Sequence, residues 1–193
     1  MAWPDALVVH RLDMATSGLV AFARGAGAQR RLSAAFAARE VEKRYAAVVY
    51  GHPTPPHDAS ADADGWAEIS LPLAADWPRR PRQRVATEGG GKPSLTRWRV
   101  LAHDAVSATT RLELDPVTGR THQLRVHLLA IGHPIVGDAL YASDAGAARG
   151  PDDDTTPAPI DTTAPRLLLH ATRLAFAHPV SGVPLAFASD APF

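Results

Sequence analysis

The chain has 193 residues, 20 Lys+Arg against 20 Asp+Glu, and no cysteine. That length suits a single domain with a substantial core, and the missing cysteine excludes a disulfide scaffold, a Cys-ligated metal or cluster and a thiolate nucleophile. A formal net charge of +0 weighs against nucleic acid, whose partners usually carry a basic footprint, until the charges are sorted by segment. No apolar run approaches the ~18 residues of a membrane span. The start MAWPDALVVHR has no basic region before an apolar stretch, so no secretory signal is expected. A cytoplasmic, monomeric protein is the expectation.

Period-2 patterns dominate the chain order. Leu7-Val8-Val9 and Gly18–Ala23 read as strands flanking a short Met14–Ser17 connection. Gln29–Glu40 has helical spacing, with Leu32 and Phe36 four apart, and Val41–Tyr50 is a strand ending at Gly51. Residues 57–68 and 144–165 are acidic, or rich in Pro, Thr and Asp, and read as exposed insertion-like loops. Ser94–Leu101 alternates Thr96, Trp98 and Val100 against Arg97 and Arg99; Thr109–Asp115 alternates in the same way. Thr121–Ile131 reads as a helix with Thr121 as N-cap, Gly132 as its stop and Pro134 just beyond. Leu167–Phe176 and Val183–Phe187 flank HPVSG as a hairpin. The class is α+β, with a mixed, largely antiparallel sheet.

Three familiar signals fail. GGGKPS at 89–94 is no phosphate loop, because Pro93 follows Lys92 and Ala86 stands at the first glycine position; a glycine-rich turn is the reading. His122 and His127 lie ~140° apart on a helix and cannot share a metal face, so no metal site is expected and both read as core or hydrogen-bonding groups. Ser17-Gly18 lacks the upstream glycine of a nucleophile elbow.

What remains is His10-Arg11-Leu12-Asp13 at the end of an apolar strand, ahead of Thr16-Ser17-Gly18. In extended geometry Arg11 and Asp13 project to one side. Lys43-Arg44-Tyr45 sets an aromatic beside cations, and Gly119–Arg125 (GRTHQLR) opens a helix with two arginines. These segments resemble the RluA family of pseudouridine synthases: HRLDMATSG (10–18) its catalytic motif, KRYAAVVYG (43–51) its K-x-Y-x-A strand, and GRTHQLRVHL (119–128) its third motif. GHPIVGDALY (132–141) and LHATRLAFAHP (169–179) are also similar, and DWPRRPRQR (76–84) resembles the dual-specificity branch. Family members carry further strands and a Lys-Pro-x-Gly segment before the catalytic motif, so N-terminal strands are expected to be missing here.

The resemblance implies isomerisation of uridine to pseudouridine in RNA without cofactor or metal, on a tRNA anticodon-loop uridine, a 23S rRNA stem-loop uridine, or both. It makes Asp13 the catalytic carboxylate and Arg125 its paired guanidinium, with Arg120 nearby. Tyr45 packs on the flipped uracil and assists proton removal from C5; Arg11 inserts where the nucleotide has left the stack. His10, Thr16 and Gln123 are positioning residues, and Leu124 is pocket wall or core. One rival is an inactive RNA-binding protein of synthase ancestry, which need not keep Asp13, Arg125 and Tyr45. Another is an acid/base hydrolase, which lacks a second positioned carboxylate.

Sorting the charges changes the meaning of neutrality. Residues 79–99 hold Arg79, Arg80, Arg82, Arg84, Lys92, Arg97 and Arg99 against Glu88 alone, and 24–44 are also basic. With the acidic loops 57–68 and 144–165 turned away, RNA meets a basic face on which Arg79, Arg80, Arg82, Arg84 and Lys92 are candidate phosphate contacts.

Overall fold

A computed structural model describes residues 3–54, 62, 64–87, 89–144 and 164–193. The strands are β1 (Ala6–Val8), β2 (Ser17–Gly18), β3 (Phe22–Arg24), β4 (Glu42–Tyr50), β5 (Ala67–Ser70) and β6 (Leu73–Ala75). They continue with β7 (Gln83–Val85), β8 (Leu95–Asp104), β9 (Thr109–Pro116), β10 (Leu169–Ala177) and β11 (Pro184–Ala188). Helices α1 (Ala26–Ala38) and α2 (Gln123–Ala130) complete the α+β fold. The chain clusters into two compact units, Met1–Tyr45 with His170–Phe193, and Ala46–Leu169.

In the first unit β1 and β3 pair antiparallel, Leu7 opposite Ala23, and α1 packs on both. Its buried anchor is Leu32. The hairpin expected at the C-terminal end is present, β10 pairing β11 with Phe176 opposite Leu185. Strand β2 joins β10 in parallel, Ser17 opposite His170 and Gly18 opposite Ala171. His170, itself buried, ties this join from both sides: Nδ1 lies 2.9 Å from the Ser17 hydroxyl and Nε2 3.1 Å from that of Ser189. Gly18 is required here. Its φ of +108° is a conformation L side chains rarely adopt, and a Cβ would run into the Ala171 backbone.

The strand expected over Gly18–Ala23 is therefore divided. Gly18 pairs with β10 and the Leu19 N–H goes to the Ala171 carbonyl (3.0 Å), whereas Phe22–Arg24 turn to β1.

The second unit has the order β4-β9-β8-β5. The alternation in β8 and β9 sorts as the pattern implies, with Thr96, Trp98, Leu112 and Leu114 buried and a bulge between Val100 and Ala102. Strands β6 and β7 form a separate two-stranded ribbon, and α2 packs against β7, β8 and β9. Val126 of α2 meets Leu73 and Tyr141 in a buried cluster.

Two further expectations are corrected. Residues 66–68 are no loop: Trp66 and Ala67 are buried and Ala67–Ser70 pair with β8. The Asp62 carboxylate organises this approach by accepting the Trp66 N–H (2.9 Å). Most of the remainder of 57–68, and 145–163, lies outside the described residues. Helix α2 starts at Gln123 behind a left-handed His122 (φ 53°), not on Thr121, because the Gln123 amide oxygen itself takes the Arg120 N–H (3.0 Å).

Candidate active site

After β1 the chain makes a tight turn in which the Asp13 carbonyl accepts the Thr16 N–H (2.9 Å). The turn leaves Asp13 half-buried between exposed Arg11 and fully exposed Met14. Thr16 is half-buried as well. His10 precedes the turn with its ring stacked on Phe36 (4.4 Å, 22°), and its Nε2 accepts the Ala21 N–H (2.9 Å). An imidazole nitrogen that accepts a backbone N–H carries no proton. Burial and then the Lys43 charge push the His10 pKa down, so this ring is a neutral brace under the Asp13 turn.

Tyr45 lies on β4, and its phenol is pushed up to about 12, first by burial and then by the negative charge of Asp13. The first unit thus brings the Asp13 carboxylate within electrostatic reach of the Tyr45 hydroxyl. At neutral pH that hydroxyl is fully protonated. In that form it is available as a hydrogen-bond donor and is not a resting base.

In the second unit Arg125 of α2 is buried and held in a fork by Asp138: Nε to Oδ2 at 2.8 Å, Nη2 to Oδ1 at 2.6 Å. Asp138 is buried too and also accepts the N–H groups of Leu140 (3.0 Å) and Tyr141 (3.2 Å). The Tyr141 ring sits 5.0 Å from the guanidinium carbons of both Arg125 and Arg82. Its hydroxyl takes the Gln83 N–H (2.7 Å) and is hydrogen-bonded to His122 Nδ1 (2.7 Å).

Sequence reasoning passed over Asp138, Tyr141 and the link through His122, although all three lie in segments quoted for the family likeness. The available signal was the Gly137-Asp138 pair. Gly137 has φ +74° and a Cβ there would strike the Arg166 backbone, so it turns the chain sharply enough for Asp138 to reach Arg125.

The remaining α2 residues hold structure in place. Gln123 is buried, with its oxygen taking the Thr118 hydroxyl (2.7 Å) and the Arg120 N–H (3.0 Å), while its amide donates to the Leu95 carbonyl and the Thr96 hydroxyl (both 3.0 Å). This fixes the loop that carries exposed Arg120. Leu124 is buried. His127 is the expected core histidine, fully buried, donating from Nε2 to the Leu71 carbonyl (3.0 Å) and accepting from the Thr96 hydroxyl at Nδ1 (2.9 Å).

The basic stretch is less open than its composition implies. Arg79 is ion-paired with Asp76 and Asp144, and Arg82 with Asp144. Arg97 is paired with Asp62 and Glu68, and Arg99 with Glu113. Residues of both acidic segments therefore come back onto the arginines, which corrects the expectation that those segments turn away. Arg80, Arg84 and Lys92 are exposed, and among the described residues none of them is in an ion pair.

A family model for RNA pseudouridylate synthases matches residues 4–130. The chain belongs to the RNA pseudouridylate synthase family. It is 45% identical over 191 residues to the dual-specificity RNA pseudouridine synthase RluA of Escherichia coli strain K12, spanning 99% of this chain and 76% of the relative. The RluA of Pasteurella multocida strain Pm70 is 44% identical over 184 residues, 95% of this chain and 73% of that one. Among solved structures, human RNA pseudouridylate synthase domain containing 1 superposes with a TM-score of 0.75 at 29% identity, covering 99% of this chain and 71% of the other. The domain containing 4 protein (TM-score 0.68, 22% identity, 97% and 72% covered) shares the fold.

The synthase accordingly isomerises uridine to pseudouridine in RNA. The N1–C1′ bond breaks, the uracil turns, C5 bonds to C1′, the C5 proton leaves and N1 regains one, so no atom is gained or lost. The raised Tyr45 pKa has a measurable consequence. Between pH 10 and about 12 an unfolded tyrosine ionises while folded Tyr45 does not, so folding stability falls as pH rises through that window. Tyr45→Phe is expected to make alkaline unfolding, followed by circular dichroism, shallower over this range and to leave stability below pH 9 within about 1 kcal/mol. An unchanged alkaline curve would contradict the burial of the phenol beside Asp13.

Proposed function

We propose that Asp13 is the catalytic carboxylate, that Tyr45 closes over the flipped uracil, and that Arg125 supplies the positive charge keeping Asp13 ionised in a closed pocket. The observation carrying this reading is the field of Asp13 on Tyr45, set within motifs similar to the family's. An ionised carboxylate acts on the sugar by adding to C1′ or by removing the 2′ proton. Desolvation opposes that charge, and a buried guanidinium such as Arg125, already oriented by Asp138, opposes the desolvation. Tyr45 as a neutral hydroxyl packs on and orients the base; its proton can pass to the uracil anion released when N1–C1′ breaks, and the tyrosinate so formed takes the C5 proton late in the reaction. Arg11, exposed beside the turn, fills the gap left by the flipped nucleotide, with Arg120 contacting RNA nearby.

The proposed substrates are a tRNA anticodon-loop uridine and a 23S rRNA stem-loop uridine, supported by likeness to enzymes named dual-specificity RNA pseudouridine synthases. The family match runs from residue 4 to 130, which supports one catalytic domain over residues 1–193. The proposed setting is the cytoplasm and the proposed state a monomer, without cofactor or metal. Among the described residues no helix is long and apolar enough to cross a membrane.

Unmodified tRNA and 23S rRNA fragments incubated with the purified chain, then mapped by chemical block to reverse transcription, test the substrate. Pseudouridine at one loop uridine is expected; binding without product on every RNA would instead support the inactive binder. Phosphate contact is tested by salt. The slope of log affinity against log salt is expected to fall by about one for each of Arg80→Ala and Arg84→Ala. Arg82→Ala, whose charge is spent on Asp144, should lower stability while leaving the slope nearly unchanged. Slopes identical in all three variants would remove residues 79–84 from the RNA face.

A further inference from the structure

The ribbon of β6 and β7 ends in a loop that is rigid by its hydrogen bonds. The Asp76 N–H binds the Arg82 carbonyl, the Arg79 N–H the Asp76 carbonyl, and the Arg82 N–H the Arg79 carbonyl, each at 3.0 Å. Arg79 Nε donates to the buried Asp76 carboxylate (2.8 Å). On this frame Trp77 stands 66% exposed, with the Arg80 guanidinium carbon 3.6 Å from its ring centre. An indole left this open on a well-tied loop is not core packing, and its ring is stacked against a cation. Farther along the same ribbon, Arg84 opposite Ala74 and Lys92 bridged to Leu73 are exposed as well and outside the ion pairs of the described residues.

We propose that Trp77 and Arg80 form a stacking platform for an unpaired nucleobase of the RNA substrate, one other than the reacting uridine. Both groups are planar, every base has a π-face, and an indole already backed by a guanidinium loses little freedom when a base settles on it. An exposed cation stacked on an apolar ring suits a polyanion whose bases are flat and apolar, and it disfavours an apolar protein face, which would strand that charge. The platform adds affinity and selects loops with an unpaired base at one offset from the target. It rests on the reading that residues 79–84 face RNA.

The test uses the full chain, an unmodified anticodon stem-loop RNA and a 23S stem-loop fragment. Trp77→Ala is expected to weaken binding by about 5- to 150-fold, and Trp77→Phe by much less, with unchanged melting temperatures because the side chain is exposed. Abasic nucleotides placed singly around the loop identify the partner. One position should cost the wild-type protein a similar factor and cost Trp77→Ala nothing further. Wild-type affinity in Trp77→Ala, or losses that simply multiply at every abasic position, would overturn the platform. If Arg80→Ala and Arg84→Ala still lower the salt slope in that case, the RNA face stands and only the stacking role falls. If they do not, the RNA-face reading fails with it.

Discussion

Asp13→Asn is expected to lower single-turnover pseudouridine formation on the order of 10⁴-fold or more, while RNA affinity stays within about twofold. The amide has the size of the carboxylate and keeps the Asp13 to Thr16 backbone turn, but it neither adds to C1′ nor takes a proton. Its second effect separates a catalytic role from a structural one. Because the Asp13 charge helps to raise the Tyr45 pKa, the tyrosinate absorbance titration of Asp13→Asn should move to lower pH than in wild type. Asp13→Glu, which keeps the charge but displaces it, should lose activity and retain more of the shift. Near-normal turnover in Asp13→Asn would end the mechanism assigned to this turn.

The largest loss of stability is expected at Asp138. Asp138→Asn takes the carboxylate of the fork from the buried Arg125 guanidinium, 4% exposed, at a cost of about 3–5 kcal/mol. For a chain of this size that lowers the melting temperature by roughly 6–20 °C. Arg125→Met strands the carboxylate in turn. The double replacement of Arg125 by Met and Asp138 by Leu should be less damaging than either single change, because it removes both desolvated charges together. Strictly additive losses would mean that the two residues act independently, against the paired geometry of 2.8 and 2.6 Å. The same fork gives Arg125 one orientation, which an ordinary surface arginine lacks.

Much of this was legible in the residue pattern. The alternation of Thr96, Trp98 and Val100 against arginines identified β8 with its inward side, and apolar runs bounded by turn residues located β4, β10 and β11. Short elements were not legible. Strands β5, β6 and β7 are three or four residues long, too short for periodicity to register. Trp66 was misplaced because an Asp-rich stretch precedes it, and only Asp62 in three dimensions shows how that stretch supports a buried indole. Asp138 was hidden for another reason. A lone Asp after glycine reads as a turn residue, and its value depends on an arginine thirteen residues earlier in the chain. The charge count failed similarly, since a sum over a segment records no partner from elsewhere, and Asp62 and Asp144 supply such partners.

The join between β2 and β10 also sets an order of assembly during synthesis. The Ser17–His170 contact spans 153 positions, and His170 is secured in turn by Ser189. A ribosome has to deliver the chain as far as His170 before the turn carrying Asp13 acquires the strand beside it. Until then the Asp13 turn lacks the strand that flanks it, so this part of the fold closes late relative to its own place in the chain.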